Sequence, residues 1–149
     1  MGARADIDKL LLDRRCVITY HPLRTEVPIL DLITLPAGIP TYEIPARAGL
    51  DPVQEAQTTL AVAQGDPTAL LIPGRRFDAL GTRHGQGGGW YDRFLTYVPR
   101  AWLRIGVCYE HQFSSTSLMK EPWDQPMDYV IVVLPDQTLS LYACGDPVI

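Results

Sequence analysis

The chain holds 149 residues, 46% hydrophobic and 20% charged, which suits one folded domain of about 100 to 200 residues rather than two. Its 13 Lys and Arg against 17 Asp and Glu leave a net charge of −4, so no basic excess is present to neutralise a nucleic-acid backbone. Charges, Pro and Gly interrupt every apolar stretch well short of the roughly 20 residues that cross a bilayer, which excludes an integral helical membrane protein.

In chain order, residues 5–15 (ADIDKLLLDRR) are expected to form a short amphipathic helix with Ile7, Leu10 and Leu11 on one face, leading into a β-branched strand at Cys16–Tyr20. A helix beginning near Thr25 is one reading of TEVPILDLI, since Pro28 is tolerable in a first turn. Residues 34–50, with prolines at 36, 40 and 45, read as an irregular connection with one edge strand. Asp51-Pro52 is an N-cap followed by proline at the first helical position, and Gly65 stops the helix. Residues 68–72 form a buried strand, Trp90–Tyr97 a helix and Leu103–Tyr109 the next strand. A short amphipathic piece around residues 114–120 precedes the continuous run at Tyr129–Leu134, which pairs with Leu139–Ala143 through a turn at 135–137. Alternating strands and helices predict one layered, Rossmann-like α/β domain over residues 1–149, its sheet mostly parallel with an antiparallel C-terminal edge.

Asp8, Lys9 and Asp13 break up the N-terminal apolar residues, unlike a secretory h-region, and a cytoplasmic protein is expected. Cys16, Cys108 and Cys144 lie far apart in strand-like segments, and predict small buried hydrophobes rather than disulfides or a zinc site. The densest chemical signal is Gly81-Thr82-Arg83-His84-Gly85-Gln86-Gly87-Gly88-Gly89-Trp90-Tyr91-Asp92-Arg93, with five glycines in nine positions between a strand and a helix. Glycine lets successive backbone N–H groups face an anion, and arginines at 75, 76, 83 and 93 flank the loop. Asp92 is out of place against bare phosphate but suits Mg²⁺ bridged to a nucleotide. The loop is neither a P-loop nor a dinucleotide fingerprint, and close strand-to-helix packing explains its glycines equally well. Glu110 and the acidic pair Asp124 and Asp128 lie near strand ends, as ligand groups or as turn caps, and Trp123 as a core anchor or a stacking surface.

LIPGRRFDALGTRHGQGGGWYDRFL, RIGVCYEHQF and EPWDQPMDYVIV, in that order over residues 70–133, resemble the 5-formyltetrahydrofolate cyclo-ligase family. The matching positions are Pro73, Gly74, Phe77, Asp78, Gly81, Arg83, Gly85, the glycines 87–89, Trp90, Tyr91 and Asp92; Trp90 stands where Tyr or Phe is usual. The resemblance implies a fold like that of ribose-phosphate isomerase and the CoA transferases, and conversion of 5-formyltetrahydrofolate to 5,10-methenyltetrahydrofolate with ATP and Mg²⁺. It assigns Gly85, Gln86, Gly87, Gly88, Gly89 and Trp90 to the ATP phosphates, Arg83 and Tyr91 to catalysis, Glu26 and Tyr91 to the reduced folate, and Asp92 to the metal. Members of the family begin with a longer basic helical segment, whereas only about 15 residues precede the first strand here, and residues 34–67 match poorly. Either Arg14, Arg15, Arg24 or a second subunit of a homodimer completes the site of an active monomeric or dimeric ligase, or the chain binds nucleotide or folate without turnover.

Overall fold

The aliphatic and β-branched runs pair into one central sheet. The computed structural model describes residues 2–85 and 89–145. Helix α1 (Ala3–Leu12) leads into β1 (Cys16–Tyr20), β2 (Thr41–Ile44), α2 (Pro52–Ala63), β3 (Thr68–Pro73), β4 (Arg76–Asp78) and β5 (Arg83–His84). Then come α3 (Trp90–Thr96), β6 (Leu103–Tyr109), β7 (Phe113–Ser114), β8 (Tyr129–Val133) and β9 (Leu139–Ala143). Six strands run in the order β2-β1-β3-β6-β8-β9, all parallel except β9, which returns antiparallel to β8. This is the layered α/β architecture with an antiparallel edge that the alternation of elements predicts.

Strand residues alternate between two cores because successive side chains leave opposite faces. Leu70, Ile72, Val130 and Val132 pack with Tyr91 and Phe94 of α3 on one face. Ala69, Leu71, Ile131 and Val133 pack with Ile7 and Leu11 of α1 on the other. A fully buried Leu or Ile contributes about 1.5 to 3 kcal/mol relative to exposure, so two such layers hold the sheet without covalent help. Cys16 and Cys108 are buried, Cys144 is half-buried, and all three are free.

Local chemistry sets the element boundaries. Asp51 accepts the Val53 N–H at 3.1 Å to open α2, and Gln64 and Gly65 adopt left-handed φ values of 51° and 80° to close it. Between Pro40 and Pro45, β2 forms the parallel edge strand. The N-terminal helix ends at Leu12 instead of running to residue 15, because the chain must reach β1 at Cys16. No α-helix starts near Thr25: Pro28, at φ −78° and ψ 76°, centres a tight turn in which the Ile29 N–H donates to the Val27 carbonyl at 2.9 Å, the Glu26 side chain accepts the Leu23 N–H at 2.9 Å, and only a 3₁₀ turn follows at Ile29–Asp31. The apolar spacing there is used to bury Val27, Ile29 and Ile33.

The short piece expected around residues 114–120 is irregular beyond Ser114. Phe113–Ser114 pairs with β4, and the Leu118 N–H is taken by Asp78 Oδ2 at 2.8 Å. A second small sheet, β5-β4-β7, results. Its anchor is Phe77, wholly buried, whose ring occupies the space a side chain at Gly106 of β6 would need. Asp78, 1% exposed, also accepts the N–H groups of Leu80 and Thr82 through Oδ1 at 3.0 and 2.9 Å. Asp78→Asn would turn an amide N–H toward one of these three donors and is expected to cost about 2 to 3 kcal/mol, read as a lower urea midpoint at unchanged m.

Candidate functional site

At the carboxyl end of β3, the Pro73 carbonyl accepts Nε of Arg83 at 2.6 Å, pulling the β4–β5 hairpin over the sheet. Gly85 is needed where the chain then crosses this guanidinium, because a Cβ there would lie 2.9 Å from both Nη atoms. Gly89, in a left-handed conformation, caps α3. On the first turn of α3, Trp90 donates Nε1–H to the Leu50 carbonyl at 2.8 Å and stacks on Phe94, while Tyr91 turns inward and is buried. A cavity of about 390 Å³ opens between this loop and residues 119–124. Arg83, Gly85, Gly89, Trp90, Tyr91 and Asp92 all line it, so the structure brings together most of the site the sequence predicts. Gln86, Gly87 and Gly88, also assigned to phosphate, lie outside the described residues.

Arg47, His84, Met119 and Glu121, to which the sequence assigns no role, complete the lining with Trp123, read as a core anchor or a stacking surface, and Asp124, read as a ligand group or a turn cap. Arg47 lies just past the carboxyl end of β2, a lone cation in a proline-rich connection that carries no motif. Segment 119–124 reaches the cavity through two ties. His84 Nε2 is 2.7 Å from the Met119 carbonyl, and Arg104, buried on β6, donates Nη1–H to Gln125 Oε1 at 2.9 Å. The Gln125 N–H in turn donates to Asp92 Oδ1 at 3.1 Å. Asp124 both caps the Glu121 N–H at 2.8 Å and lines the cavity, so the two sequence alternatives for it hold together. Met119 and Trp123 remain 79% and 63% exposed, an apolar rim. Glu110, Arg75, Arg76 and Arg93 do not line this cavity.

Burial dominates the electrostatics. It pushes the Tyr91 hydroxyl up to about 12, against the opposing pull of Arg47 and Arg83, so the phenol is neutral at physiological pH. Arg83 is lowered from its ordinary value, first by burial, with Arg47 also acting as a like charge. Burial also raises the Asp92 carboxyl; the Gln125 N–H opposes this and the neighbouring Asp124 adds to it. Glu26 does not line the cavity: it is sealed behind Arg47, whose Nη2 meets Glu26 Oε2 at 2.5 Å.

Mg²⁺ is taken by one or two carboxylates plus substrate phosphates. Asp92 and Asp124 supply such a pair, and a divalent ion would relieve their mutual repulsion, so these residues fit the metal. Among the described residues no group of three or more acidic, His or Cys side chains gathers as an all-protein metal site, which a phosphate-bridged ion does not require. No helix among them is long and apolar enough to cross a membrane.

Fold and site together define a layered α/β protein whose ligand cavity, cationic at Arg47 and Arg83 and acidic at Asp92 and Asp124, lies beyond the carboxyl ends of its parallel strands. The 5-formyltetrahydrofolate cyclo-ligase family model matches residues 17–133, and the chain belongs to that family. Among relatives, it is 31% identical over 75 residues to a 5-formyltetrahydrofolate cyclo-ligase of Mycoplasma genitalium, a match covering 50% of this chain and 44% of the relative. With the enzyme of the same name from Haemophilus influenzae it shares 32% identity over 83 residues, covering 55% and 43%. The chain thus spans less than half the length of the curated relatives it matches. A solved 5,10-methenyltetrahydrofolate synthetase from Mycoplasma pneumoniae has the same fold, with TM-score 0.50 at 18% identity over 87% of this chain and 80% of that one.

Proposed function

We propose that the chain converts 5-formyltetrahydrofolate to 5,10-methenyltetrahydrofolate with consumption of ATP. The observation that carries this reading is the convergence in one cavity of Gly85, Gly89, Arg83, Tyr91 and Asp92, residues of the family's signature segment, on a chain that belongs to the family. In this chemistry the formyl oxygen attacks the γ-phosphorus and ADP leaves; nitrogen 10 then attacks the activated carbon and inorganic phosphate departs. Positioning and charge neutralisation suffice, with no protein nucleophile. Arg83, held by the Pro73 carbonyl, presents a fixed positive charge to the cavity beside Gly85 and Gly89, which have no side chain to keep phosphate oxygens away. Bound Mg²⁺, held by Asp92 and Asp124, would supply charge neutralisation between phosphate oxygens. The exposed faces of Trp123 and Met119 offer a shelf for a flat heterocycle. Free thiols and ATP both suit a cytoplasmic setting.

The test is the rise in absorbance of methenyltetrahydrofolate when the protein is mixed with 5-formyltetrahydrofolate and Mg²⁺-ATP, against an ATP-free control. ATP-dependent product is the expected result. One observation favours binding without turnover: among the described residues the Arg and Lys lining the cavity are Arg47 and Arg83, and Lys9 sits on α1, across the sheet from α3. Absent product from folded protein that still binds Mg²⁺-ATP would select that reading. Tyr91→Phe separates the phenol from its ring: the buried hydroxyl meets the Arg47 guanidinium without a well-formed hydrogen bond, so the melting temperature should hold while turnover falls.

A further inference from the structure

The resemblance puts Glu26 against the substrate, yet its side chain is 1% exposed and the guanidinium of Arg47, 10% exposed, covers it. Arg47 is the member of this pair that lines the cavity. Its Nη2 is committed to Glu26, its Nη1 is buried with no hydrogen-bond partner, and its Cζ lies 5.2 Å from the centre of the Tyr91 ring. Arg83 stands over the same ring at 4.7 Å, and the buried Tyr91 hydroxyl interacts with the Arg47 guanidinium without a well-formed hydrogen bond. Two guanidiniums share one aromatic ring, and the only carboxylate hydrogen-bonded to either among the described residues is Glu26 on Arg47. Buried guanidiniums are stable when their charge and donors are met; among the described residues Asp92 and Glu26 offset the charge of Arg83 without a hydrogen bond to it, and Arg47 Nη1 meets no carboxylate.

We propose that Arg47, oriented by Glu26, receives an oxyanion of the bound ligand together with Arg83, and that Glu26 is a positioning residue rather than a substrate contact. The identity of the ligand rests on the functional reading above; the chemistry does not, since a nucleotide phosphate and a folate carboxylate meet the same planar donors. Arg47 thereby brings a cation to the ligand from just past the carboxyl end of β2, alongside the one Arg83 supplies from β5.

Mg²⁺-ATP, 5-formyltetrahydrofolate and inorganic tripolyphosphate are titrated separately into wild type, Arg47→Ala, Arg47→Lys and Glu26→Gln, following fluorescence of Trp90 and Trp123, both on the cavity wall. Arg47→Ala is expected to weaken at least one of these ligands by about tenfold or more, the equivalent of one lost charge-assisted contact. It should also flatten the salt dependence of that binding, and Arg47→Lys should restore part of both. Glu26→Gln should weaken the same ligand by a smaller factor, and add nothing once Arg47 is already Ala. Losses with Mg²⁺-ATP and tripolyphosphate assign the oxyanion to the nucleotide; a loss confined to 5-formyltetrahydrofolate assigns it to a folate carboxylate, and either result supports the site. Wild-type binding of all three ligands by Arg47→Ala overturns it, as does failure of the wild type to bind any. So does tighter folate binding in Arg47→Ala with loss in Glu26→Gln, which would make Arg47 a plug over a substrate-contacting glutamate. If Arg47→Ala fails to fold because it strands a buried carboxylate, Glu26→Gln/Arg47→Gln removes both charges and carries the same test. Arg47-dependent binding without methenyltetrahydrofolate formation would remove the proposed activity and leave the oxyanion site standing.

Discussion

Asp92→Asn is expected to lower turnover on the order of a hundredfold or more, the scale seen when one preorganised charge-stabilising group is lost from a site. Asn keeps the shape and can still accept the Gln125 N–H through its carbonyl oxygen, so the loss isolates the negative charge. Titrating Mg²⁺ at fixed ATP separates the causes: a shifted Mg²⁺ midpoint places Asp92 on the ion, and an unchanged midpoint removes it from that role. Stability should move the other way. Burial and Asp124 hold the Asp92 carboxyl above its ordinary value of 3.8, so the folded state binds its proton more tightly than the unfolded chain does. Its contribution is therefore most favourable in acid and is lost as pH rises from about the ordinary value through the raised one, leaving ionised Asp92 a net cost at neutral pH. Asp92→Asn should melt at or above the wild type at neutral pH, with the difference closing in acid. A variant that melts well below wild type at neutral pH would instead make Asp92 a structural residue.

Gly81→Ala should produce the largest loss of stability among single-methyl additions in the signature segment. Gly81 sits at φ 89°, and a Cβ there would lie 2.5 Å from the Met127 carbonyl oxygen, backbone that has no rotamer to give way. The conformational penalty of about 1 to 2 kcal/mol adds to an overpacking cost of about 1 to 3 kcal/mol. The Gly81 carbonyl also accepts the Met127 N–H at 2.9 Å, so the clash falls on the segment that carries Trp123 and Asp124 to the cavity. Urea unfolding measures the first effect and Mg²⁺-ATP affinity the second. Gly89→Ala is the control: its φ is 67° but nothing among the described residues lies within 4 Å of the added carbon, so only the conformational penalty should appear. Equal losses at the two positions would mean that the contact with Met127 contributes nothing.

Arg47 and Arg104 show where reading along the chain fails. Arg47 is a single cation outside any motif, and Arg104 opens the block RIGVCYEHQF with nothing in it to mark its role; each acquires meaning through residues of other elements, Arg47 through Glu26 and Tyr91, Arg104 through Gln125 and Leu95. The small sheet was equally hidden. Its strands are two or three residues long, too short for any periodicity, and they exist because Phe77 docks on Gly106 and Asp78 gathers three N–H donors. Around Thr25, helix-like apolar spacing was satisfied by packing of irregular chain, since the turn at Pro28 had already settled the local backbone; past Ser114 it is the Asp78 carboxylate, taking the Leu118 N–H, that fixes the chain.

By itself, the sequence determined the layered α/β class, the succession of the long strands along the chain, the limits of α2, and a glycine-rich loop followed by Trp-Tyr-Asp, because alternation, capping and glycine act within a few residues of one another. Only the tertiary structure decided that Glu26 stands behind Arg47, that Asp124 joins Asp92, and that two guanidiniums share one tyrosine ring. These are meetings between elements separated by tens of residues. They follow from sheet order and from the burial of charge, neither of which leaves a local pattern to read.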